Sequence, residues 1–146
     1  TWRRFEYKGN TARGAEVYDD YAHHPTEVAR TLGAVREKFP GKKIIVAFHP
    51  HLYSRTRDLM GEFSAAFKGA DHVLVAPIYA AREAPIEGVT SAVLAQNISR
   101  SGTSAVAYKS LEEVEHALRE YDSLNTVLMT MGAGDIYSVA EALTEN

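Results

Sequence analysis

Several features that define other classes of protein are missing from this sequence. There is no cysteine, so disulfide bonds and thiolate metal sites are excluded, and a cytoplasmic location is expected. No apolar run approaches the roughly 20 residues of a membrane-spanning helix, and no signal-peptide pattern opens the chain. The formal net charge of -3 argues against a nucleic-acid-binding protein, which usually carries a basic excess on one face. No Gly-x-x-x-x-Gly-Lys-Ser/Thr loop occurs, so an ATP-using enzyme built on this chain alone would lack a phosphate cradle.

The composition is that of an ordinary globular domain. The 146 residues are 45% hydrophobic and 24% charged, enough apolar material to bury a sizeable core. We expect a single domain over residues 1–146. Because the chain starts at Thr1 and lacks an initiator methionine, we also expect it to be a fragment of a longer protein.

Hydrophobic periodicity predicts five alternations of strand and helix. Residues 43–48 form a continuous apolar run rich in β-branched side chains, typical of a central parallel strand. A long helix is predicted over 25–39, a second helix through 59–67, and a last strand at 126–131 before a final helix. Gly33 interrupts the long helix, and close packing on the sheet would explain it. The expected fold class is α/β: a Rossmann-like, mostly parallel sheet of about six strands with helices on both faces.

Polar residues cluster where three of the predicted strands end, at 19–24, 49–57 and 132–135. In open parallel sheets, ligands bind outside the carboxyl ends of the strands. Loops that converge on one such edge have the expected geometry of a binding site. We therefore place the candidate site at this edge.

The first two clusters leave several interpretations open. Asp19 and Asp20 could bind a ribose hydroxyl or a metal ion, or they could be a solvated pair that caps the following helix. The histidines at 23–24 and 49–51 could suggest zinc, but neither pair has the helical spacing of a zinc motif. Hydrogen bonding to an anionic or hydroxylated ligand is favoured for these histidines, and His24 could instead be a helix N-cap.

Two arginines begin the second predicted helix. Arg55 and Arg57 lie where unpaired backbone amides already favour an anion, and a guanidinium adds bidentate recognition of a carboxylate or phosphate. Arg57 is followed by Asp58, and we predict that it is only solvent-exposed. Residues 132–134, Gly-Ala-Gly, resemble half of a dinucleotide fingerprint but follow the last strand, so a tight strand-to-helix turn is favoured.

The longer motifs resemble the C-terminal domain of the Mur ligases. The resemblance covers nearly the whole chain and rests on Arg-Arg-Phe at 3–5, Asp-Asp-Tyr-Ala-His-His-Pro-Thr-Glu at 19–27, Phe-His-Pro-His-Leu-Tyr-Ser-Arg-Thr at 48–56, Ile-Tyr-Ala-Ala-Arg-Glu at 78–83 and Met-Gly-Ala-Gly-Asp-Ile at 131–136. It is strongest to the members that join L-alanine to UDP-N-acetylmuramate.

The resemblance implies a bacterial cytoplasmic enzyme of three domains that uses ATP and Mg²⁺ in peptidoglycan synthesis. Its partners would be UDP-N-acetylmuramate, whose lactyl carboxylate becomes an acyl phosphate, and L-alanine, whose amine attacks it. The N-terminal domain would hold the UDP-sugar, and the central domain the phosphate loop and metal ligands. Residues 1–146 would supply only the C-terminal domain. We therefore expect no catalytic residue and no metal ligand in this chain, and no activity from it alone.

Carried over position by position, the resemblance assigns six residues to two ligands: Arg4, Asp20 and Tyr21 to ATP, and His23, His51 and Arg55 to L-alanine. On the ATP side the arginine would contact the phosphates, the aspartate the nucleoside, and the tyrosine the adenine. Structural roles are expected for the other ionisable residues of the long motif: Asp19, His24 and Glu27.

One position departs from the family pattern. Leu52 stands where many Mur ligases have an arginine that is thought to assist the amino-acid carboxylate. Arg55 would then make that contact alone, or Arg82 would compensate. Two alternative functions remain: a related ligase that attaches a whole tripeptide to UDP-N-acetylmuramate, and a nucleotide-binding module without catalysis.

Overall fold

A computed structural model of the protein describes residues 3–145. Within that part of the chain, the strands are β1 (Glu6–Asn10), β2 (Glu16–Asp20), β3 (Lys43–His49), β4 (His72–Val75), β5 (Ser104–Ala107) and β6 (Thr126–Gly132). The helices are α1 (Pro25–Lys38), α2 (Tyr53–Asp58), α3 (Met60–Ala65), α4 (Ser91–Arg100), α5 (Leu111–Arg119) and α6 (Tyr137–Thr144). None of these helices is long and apolar enough to cross a membrane.

All six strands belong to one sheet, in the order β1-β2-β6-β3-β4-β5. Only β1 runs antiparallel to its neighbour, and the other strand pairs are parallel. This confirms the predicted α/β fold with a mostly parallel sheet. The last strand of the sequence, β6, lies between β2 and β3 and so occupies the middle of the sheet.

The alternation of side chains along β3 explains why both faces of the sheet are covered. Ile44, Val46 and Phe48 point into one apolar layer, and Ile45 and Ala47 into the other. The first layer is closed by α1, α3 and α4, and the second by α5 and α6. A strand buried on both faces must be apolar at every position, which is the pattern that the sequence shows. The prediction of helices on both faces is confirmed.

The second predicted helix is divided in two. Leu59 has φ -113° and ψ 17°, which is outside the helical region, so α2 ends there and α3 begins at Met60. The break redirects the chain, and Phe63 on α3 is buried in the first layer. Apolar spacing through residues 59–67 is the same on one helix or two, so the sequence pattern did not reveal the break.

The expectation that Gly33 packs closely on the sheet is wrong. A Cβ added to Gly33 would meet no atom within 4 Å. The close approach occurs instead at Gly69, where an added Cβ would lie 2.7 Å from the carbonyl oxygen of Leu32. Gly69 therefore lets its segment pass against the backbone of α1, while Gly33 has no packing reason to be glycine.

The start of α1 is fixed by residues of the long motif. The backbone amide of Thr26 donates to the His24 side chain over 3.2 Å, and the amide of His24 donates to Glu27 Oε1 over 3.1 Å. These reciprocal bonds form a capping box, with Pro25 in the first helical turn where its missing N–H costs nothing. The N-cap interpretation of His24 is confirmed, as is the structural role of Glu27. The interpretation of Asp19 and Asp20 as helix caps is wrong.

Candidate functional site

The three polar clusters predicted from the sequence lie together at the carboxyl edge of the sheet. In the parallel register, Asp20 at the end of β2 is opposite Met131 of β6, and His49 at the end of β3 is opposite Gly132. The three strands therefore end at the same level, and the loops that follow them converge. This juxtaposition was predicted from the strand-end rule, and it is confirmed.

A buried arginine fills the centre of this edge. Arg3 is 2% exposed, and its Nε donates to Asp19 Oδ2 over 2.7 Å. The Nη atoms of Arg3 donate to the carbonyl oxygens of Gly134 at 2.9 Å and Gly132 at 2.6 Å. Thr130 donates its hydroxyl to Asp19 Oδ1 at 2.6 Å. One guanidinium thus joins the ends of β2 and β6, and the predicted structural role of Asp19 is confirmed.

The residues assigned to ATP line a single cleft beside Arg3. Its volume is about 380 Å³, and Arg4, Asp20, Tyr21 and Arg30 are among the residues that surround it. Tyr21 is 44% exposed, and the Arg3 guanidinium lies 5.2 Å from its ring centre. A flat, half-exposed ring between cationic side chains suits a purine and its phosphates. Arg30 on α1 was not predicted from the sequence.

Asp20 is held in place by the backbone on both sides. Its Oδ2 accepts from the amide of Phe5 at 2.8 Å and its Oδ1 from the amide of Ala22 at 2.8 Å. Burial raises the pKa of this carboxyl above its ordinary value, although the two amide bonds act in the opposite direction. A carboxylate oxygen can accept more than one bond, so Asp20 retains capacity for a ribose hydroxyl.

The residues assigned to the amino acid form a second group, on the β3 side of the cleft. The ring centres of His23 and His51 are 5.9 Å apart, and Arg55 Nη1 lies 3.4 Å from His51 Nδ1. The ring of Tyr79 stacks on His51 with a centre separation of 5.6 Å. The structure therefore brings together His23, His51 and Arg55 from two separate loops, and it adds Tyr79.

The hydrogen bonds of His23 and His51 indicate which ring nitrogen carries the proton in each. Tyr21 O can only accept, so His23 Nδ1, which is 3.1 Å away, carries a proton. Arg55 can only donate, so His51 Nδ1 accepts and the proton of a neutral His51 is on Nε2. Burial, with the charge of Arg55, lowers the pKa of His51, which keeps the ring neutral at neutral pH. The group thus has one guanidinium that can bind a carboxylate and ring nitrogens beside it.

The helix N-terminus expected to attract an anion is already occupied. The carboxylate of Glu83 accepts from the amide of Ser54 at 3.0 Å and from the hydroxyl of the same serine. An external anion therefore has to use the Arg55 side chain rather than the first amides of α2. Arg57 is exposed, as predicted, and its Nε lies 2.8 Å from Asp58 Oδ1.

Leu52 replaces an arginine of the family pattern, and Arg82 was expected to compensate for it. Leu52 has φ 71° and ψ 135°, a left-handed conformation that costs a branched residue about 1–3 kcal/mol. Arg82 is exposed. Among residues 3–145, no hydrogen bond or ion pair joins Arg82 to the three residues of the amino-acid group, so its compensating role stays a prediction.

His49 is buried beneath both groups. It is 4% exposed, and its Nδ1 has no hydrogen-bond partner among the described residues, since Asp135 Oδ1 is 3.9 Å away. An added Cβ at Gly134 would lie 2.7 Å from this Nδ1, so only glycine lets the 132–135 turn cover the ring. This confirms a tight strand-to-helix turn. Burial lowers the pKa of His49 to about 4, against an opposing effect of Asp135.

This shift makes stability depend on pH. Between about pH 4 and the ordinary pKa of about 6.5, the unfolded chain binds a proton at His49 that the folded chain does not. Folding is therefore favoured above pH 6.5 and weakened as the pH falls toward 4. We expect His49→Gln to reduce the difference in unfolding free energy between pH 7 and pH 4.5 by about 2–3 kcal/mol, as measured by urea unfolding.

The exposed His116 on α5 gives a matched control, because His116→Gln makes the same substitution at an imidazole that is not buried. Some of the slope will remain in either variant, since burial also lowers the pKa of His51 and His72. An unchanged slope in His49→Gln would show that the ring is not held neutral by burial.

The part of the chain that the structure describes gathers no set of metal ligands. Among residues 3–145, no three His, Asp or Glu side chains come together in an arrangement that could hold a metal ion. The carboxylates that an Mg²⁺ ion prefers are at this edge engaged by protein groups, Asp19 by Arg3 and Asp20 by backbone amides. The residues described here do not fit a metal site.

Comparison with known proteins assigns the chain to a family. The family model described as Mur ligase, glutamate ligase domain, matches residues 3–134. The chain belongs to the Mur ligases. Among curated members of the family, the UDP-N-acetylmuramate–L-alanine ligase of Salinibacter ruber is 44% identical over 144 residues, which are 98% of this chain and 30% of that protein. This Mur ligase chain therefore spans about a third of the length of the relatives that it matches.

Solved structures agree with the fold. The crystal structure of the UDP-N-acetylmuramate–alanine ligase of Thermotoga maritima matches this Mur ligase with a TM-score of 0.77 and 30% identity, over 97% of this chain and 29% of that one. A murein peptide ligase from Psychrobacter arcticus matches with a TM-score of 0.73 but 18% identity, over 99% of this chain and 31% of that one. The second likeness concerns the fold alone.

Proposed function

We propose that residues 1–146 are the C-terminal domain of a three-domain enzyme that joins L-alanine to the lactyl carboxylate of UDP-N-acetylmuramate. The reaction would consume ATP, pass through an acyl phosphate and serve peptidoglycan synthesis in the bacterial cytoplasm. Relatives that are 43–49% identical to this chain are named UDP-N-acetylmuramate–L-alanine ligase, and they support the choice of substrates. The two other domains would bind the UDP-sugar and the ATP phosphates, and they lie outside this chain.

One observation carries the proposal. The cleft formed by Arg4, Asp20 and Tyr21 and the group formed by His23, His51 and Arg55 lie side by side at one edge of the sheet. Tyr21 and His23 contact each other edge to face, with ring centres 5.2 Å apart. An amino acid bound by the second group would lie next to a nucleotide in the cleft, which would bring its amine near the acyl phosphate that ATP forms on the lactyl carboxylate.

On the amino-acid side, Arg55 supplies the positive charge for the carboxylate of alanine. A charge-assisted bond of this kind fixes the amino acid by one end and leaves its amine free to attack. The neutral His51 does not add a second charge, and its Nε2–H can donate to the same carboxylate. His23 closes the pocket from the β2 loop.

On the nucleotide side, the cleft offers contacts for the ends of ATP but no cradle for its phosphates. Asp20 would accept from the ribose, Tyr21 would lie against the adenine, and Arg4 would reach the phosphates. Mg²⁺ would screen the phosphate charge when bound, with ligands from the central domain. The role of this domain is then to hold two substrates and to exclude water when the domains close.

Steady release of ADP and phosphate tests the proposal. The full-length protein is expected to turn over only when UDP-N-acetylmuramate and L-alanine are both present, because the amine completes the reaction that ATP begins. Glycine, L-serine and the tripeptide serve as competing acceptors in the same assay. If the tripeptide supports turnover better than L-alanine, the alternative ligase is correct, and if no acceptor does, the chain belongs to a nucleotide-binding protein without this activity.

A further inference from the structure

Helix α2 carries Arg55 but has no cap of its own. Leu52, at its N-cap position, has an apolar side chain that makes no capping bond, and its φ of 71° lies in the left-handed region. The first amides of a helix have no partner within the helix and need one from elsewhere. The position and stability of α2 therefore depend on a group from another part of the chain.

Glu83 supplies that group from 29 residues further along the chain. Both of its carboxylate oxygens are used on Ser54: Oε1 accepts from the backbone amide at 3.0 Å and Oε2 from the hydroxyl. These bonds lower the pKa of Glu83, so the carboxylate is ionised at neutral pH. A negative charge at the start of a helix also interacts favourably with the helix dipole.

The segment that presents Glu83 is itself fastened to the amino-acid group. The amide of Leu52 donates to Tyr79 O at 2.8 Å, and the amide of Tyr79 donates to Pro50 O at 2.8 Å. The two segments thus form a short parallel bridge at His51 and Tyr79, whose rings stack. A turn closed by the bond from Glu83 N to Ala80 O at 2.9 Å then directs Glu83 back to α2.

The geometry of this acid also keeps it from competing with a substrate. If Glu83 paired with Arg55, its negative charge would neutralise the guanidinium, which could then not bind the carboxylate of a substrate. Both oxygens of Glu83 are directed to Ser54, and within residues 3–145 no hydrogen bond or ion pair joins Glu83 to Arg55. Arg55 Nη1 is instead directed to His51 Nδ1. The carboxylate holds the helix and leaves the guanidinium available.

We propose that Glu83 is a positioning residue for the amino acid: by capping α2 from the neighbouring segment, it holds Arg55 beside His51 in the orientation that binds the substrate carboxylate. This inference rests on the proposed function and extends it to a residue that does not touch the substrate. Loss of the cap lets α2 shift, and a displacement of about 1 Å can cost up to 100-fold in the use of a positioned substrate.

The kinetic test uses the full-length enzyme with Glu83→Ala, the conservative Glu83→Gln, and Glu87→Gln as a matched control. Glu87 is an exposed acid four residues further along the same segment. We expect Glu83→Ala to raise the KM for L-alanine by about 10- to 100-fold, with kcat and the KM for ATP changed by less than about threefold. Glu83→Gln, whose amide oxygen can still accept from Ser54, should recover most of this loss, and Glu87→Gln should match the wild type.

Equal increases in the KM for ATP and for L-alanine, or a KM for L-alanine within twofold of the wild type, would overturn the positioning role. A wild-type enzyme without L-alanine-dependent turnover would instead refute the proposed function. In that case the cap can still be judged in this chain by amide hydrogen exchange. Glu83→Ala should speed exchange at Ser54 by at least about 10-fold while the β3 amides stay protected. Unchanged exchange at Ser54 would show that Glu83 does not cap α2.

Discussion

Replacing Arg55 by alanine in the full-length enzyme is expected to lower kcat/KM for L-alanine by about 10- to 1000-fold. The guanidinium is the one cation hydrogen-bonded to the His51 ring within residues 3–145, and Leu52 stands where a second arginine would assist it. The variant therefore loses a charge-assisted bond worth about 1.5–3 kcal/mol together with the positioning that this bond gives. Steady-state kinetics with varied L-alanine at saturating ATP measures the loss.

Arg57→Ala is the matched control for this experiment. Arg57 lies on the same helix two residues away, is 54% exposed and, within residues 3–145, forms an ion pair with Asp58 alone. Its removal should leave kcat/KM for L-alanine within about twofold of the wild type, since exposed ion pairs contribute little. If Arg55→Ala and Arg57→Ala behave alike, the guanidinium of Arg55 does not hold the substrate.

The largest loss of stability is expected from Arg3→Ala. This substitution removes a guanidinium that is 2% exposed and leaves the Asp19 carboxylate, itself 1% exposed, without its cation. The carbonyl oxygens of Gly132 and Gly134 lose their donors as well. Breaking a buried ion pair from one side costs about 3–5 kcal/mol, so urea unfolding of this chain should show a decrease of that size.

The neighbouring Arg4 provides a control for this prediction, because Arg4→Ala also removes one arginine charge but from an exposed position. Arg4 is exposed, and Arg4→Ala should change the free energy of unfolding by no more than about 0.5 kcal/mol. The double variant Arg3→Ala with Asp19→Ala should be more stable than the sum of the two single losses, because no charge is then left unpaired. Simple additivity would show that the two side chains do not act as a pair.

The sequence allowed the fold and the placement of the site to be predicted because both depend on local pattern. The apolar, β-branched run that follows Lys43 is typical of a strand covered on two faces. The strand-end rule then places the loops at 19–24, 49–57 and 132–135 together without any knowledge of side-chain contacts. The resemblance to the Mur ligases supplied the division of residues between two ligands, and that division remains a proposal.

The contacts that the sequence did not reveal are those between distant segments. Nothing in Arg-Arg-Phe at 3–5 tells which arginine is buried, since this depends on the carbonyl oxygens of a turn more than 125 residues away. The capping of α2 by Glu83 is hidden for the same reason, because sequence rules look for a cap beside the helix. The interruption at Leu59 is invisible to apolar spacing, and Gly33 was assigned a contact that the structure gives to Gly69.

The position of β6 in the sheet sets how far apart the loops after β2 and β3 begin. Because β6 separates β2 from β3, the two loops that we propose to hold the substrates start two strand spacings apart, roughly 10 Å. Gly132 and Gly134 leave room for His49 against the 132–135 turn, and the rings of His23 and His51 reach each other with their centres 5.9 Å apart. The distance between the two binding loops is therefore set by backbone pairing. A change of amino-acid preference can come from side chains on the β3 loop while the spacing to the nucleotide cleft is conserved.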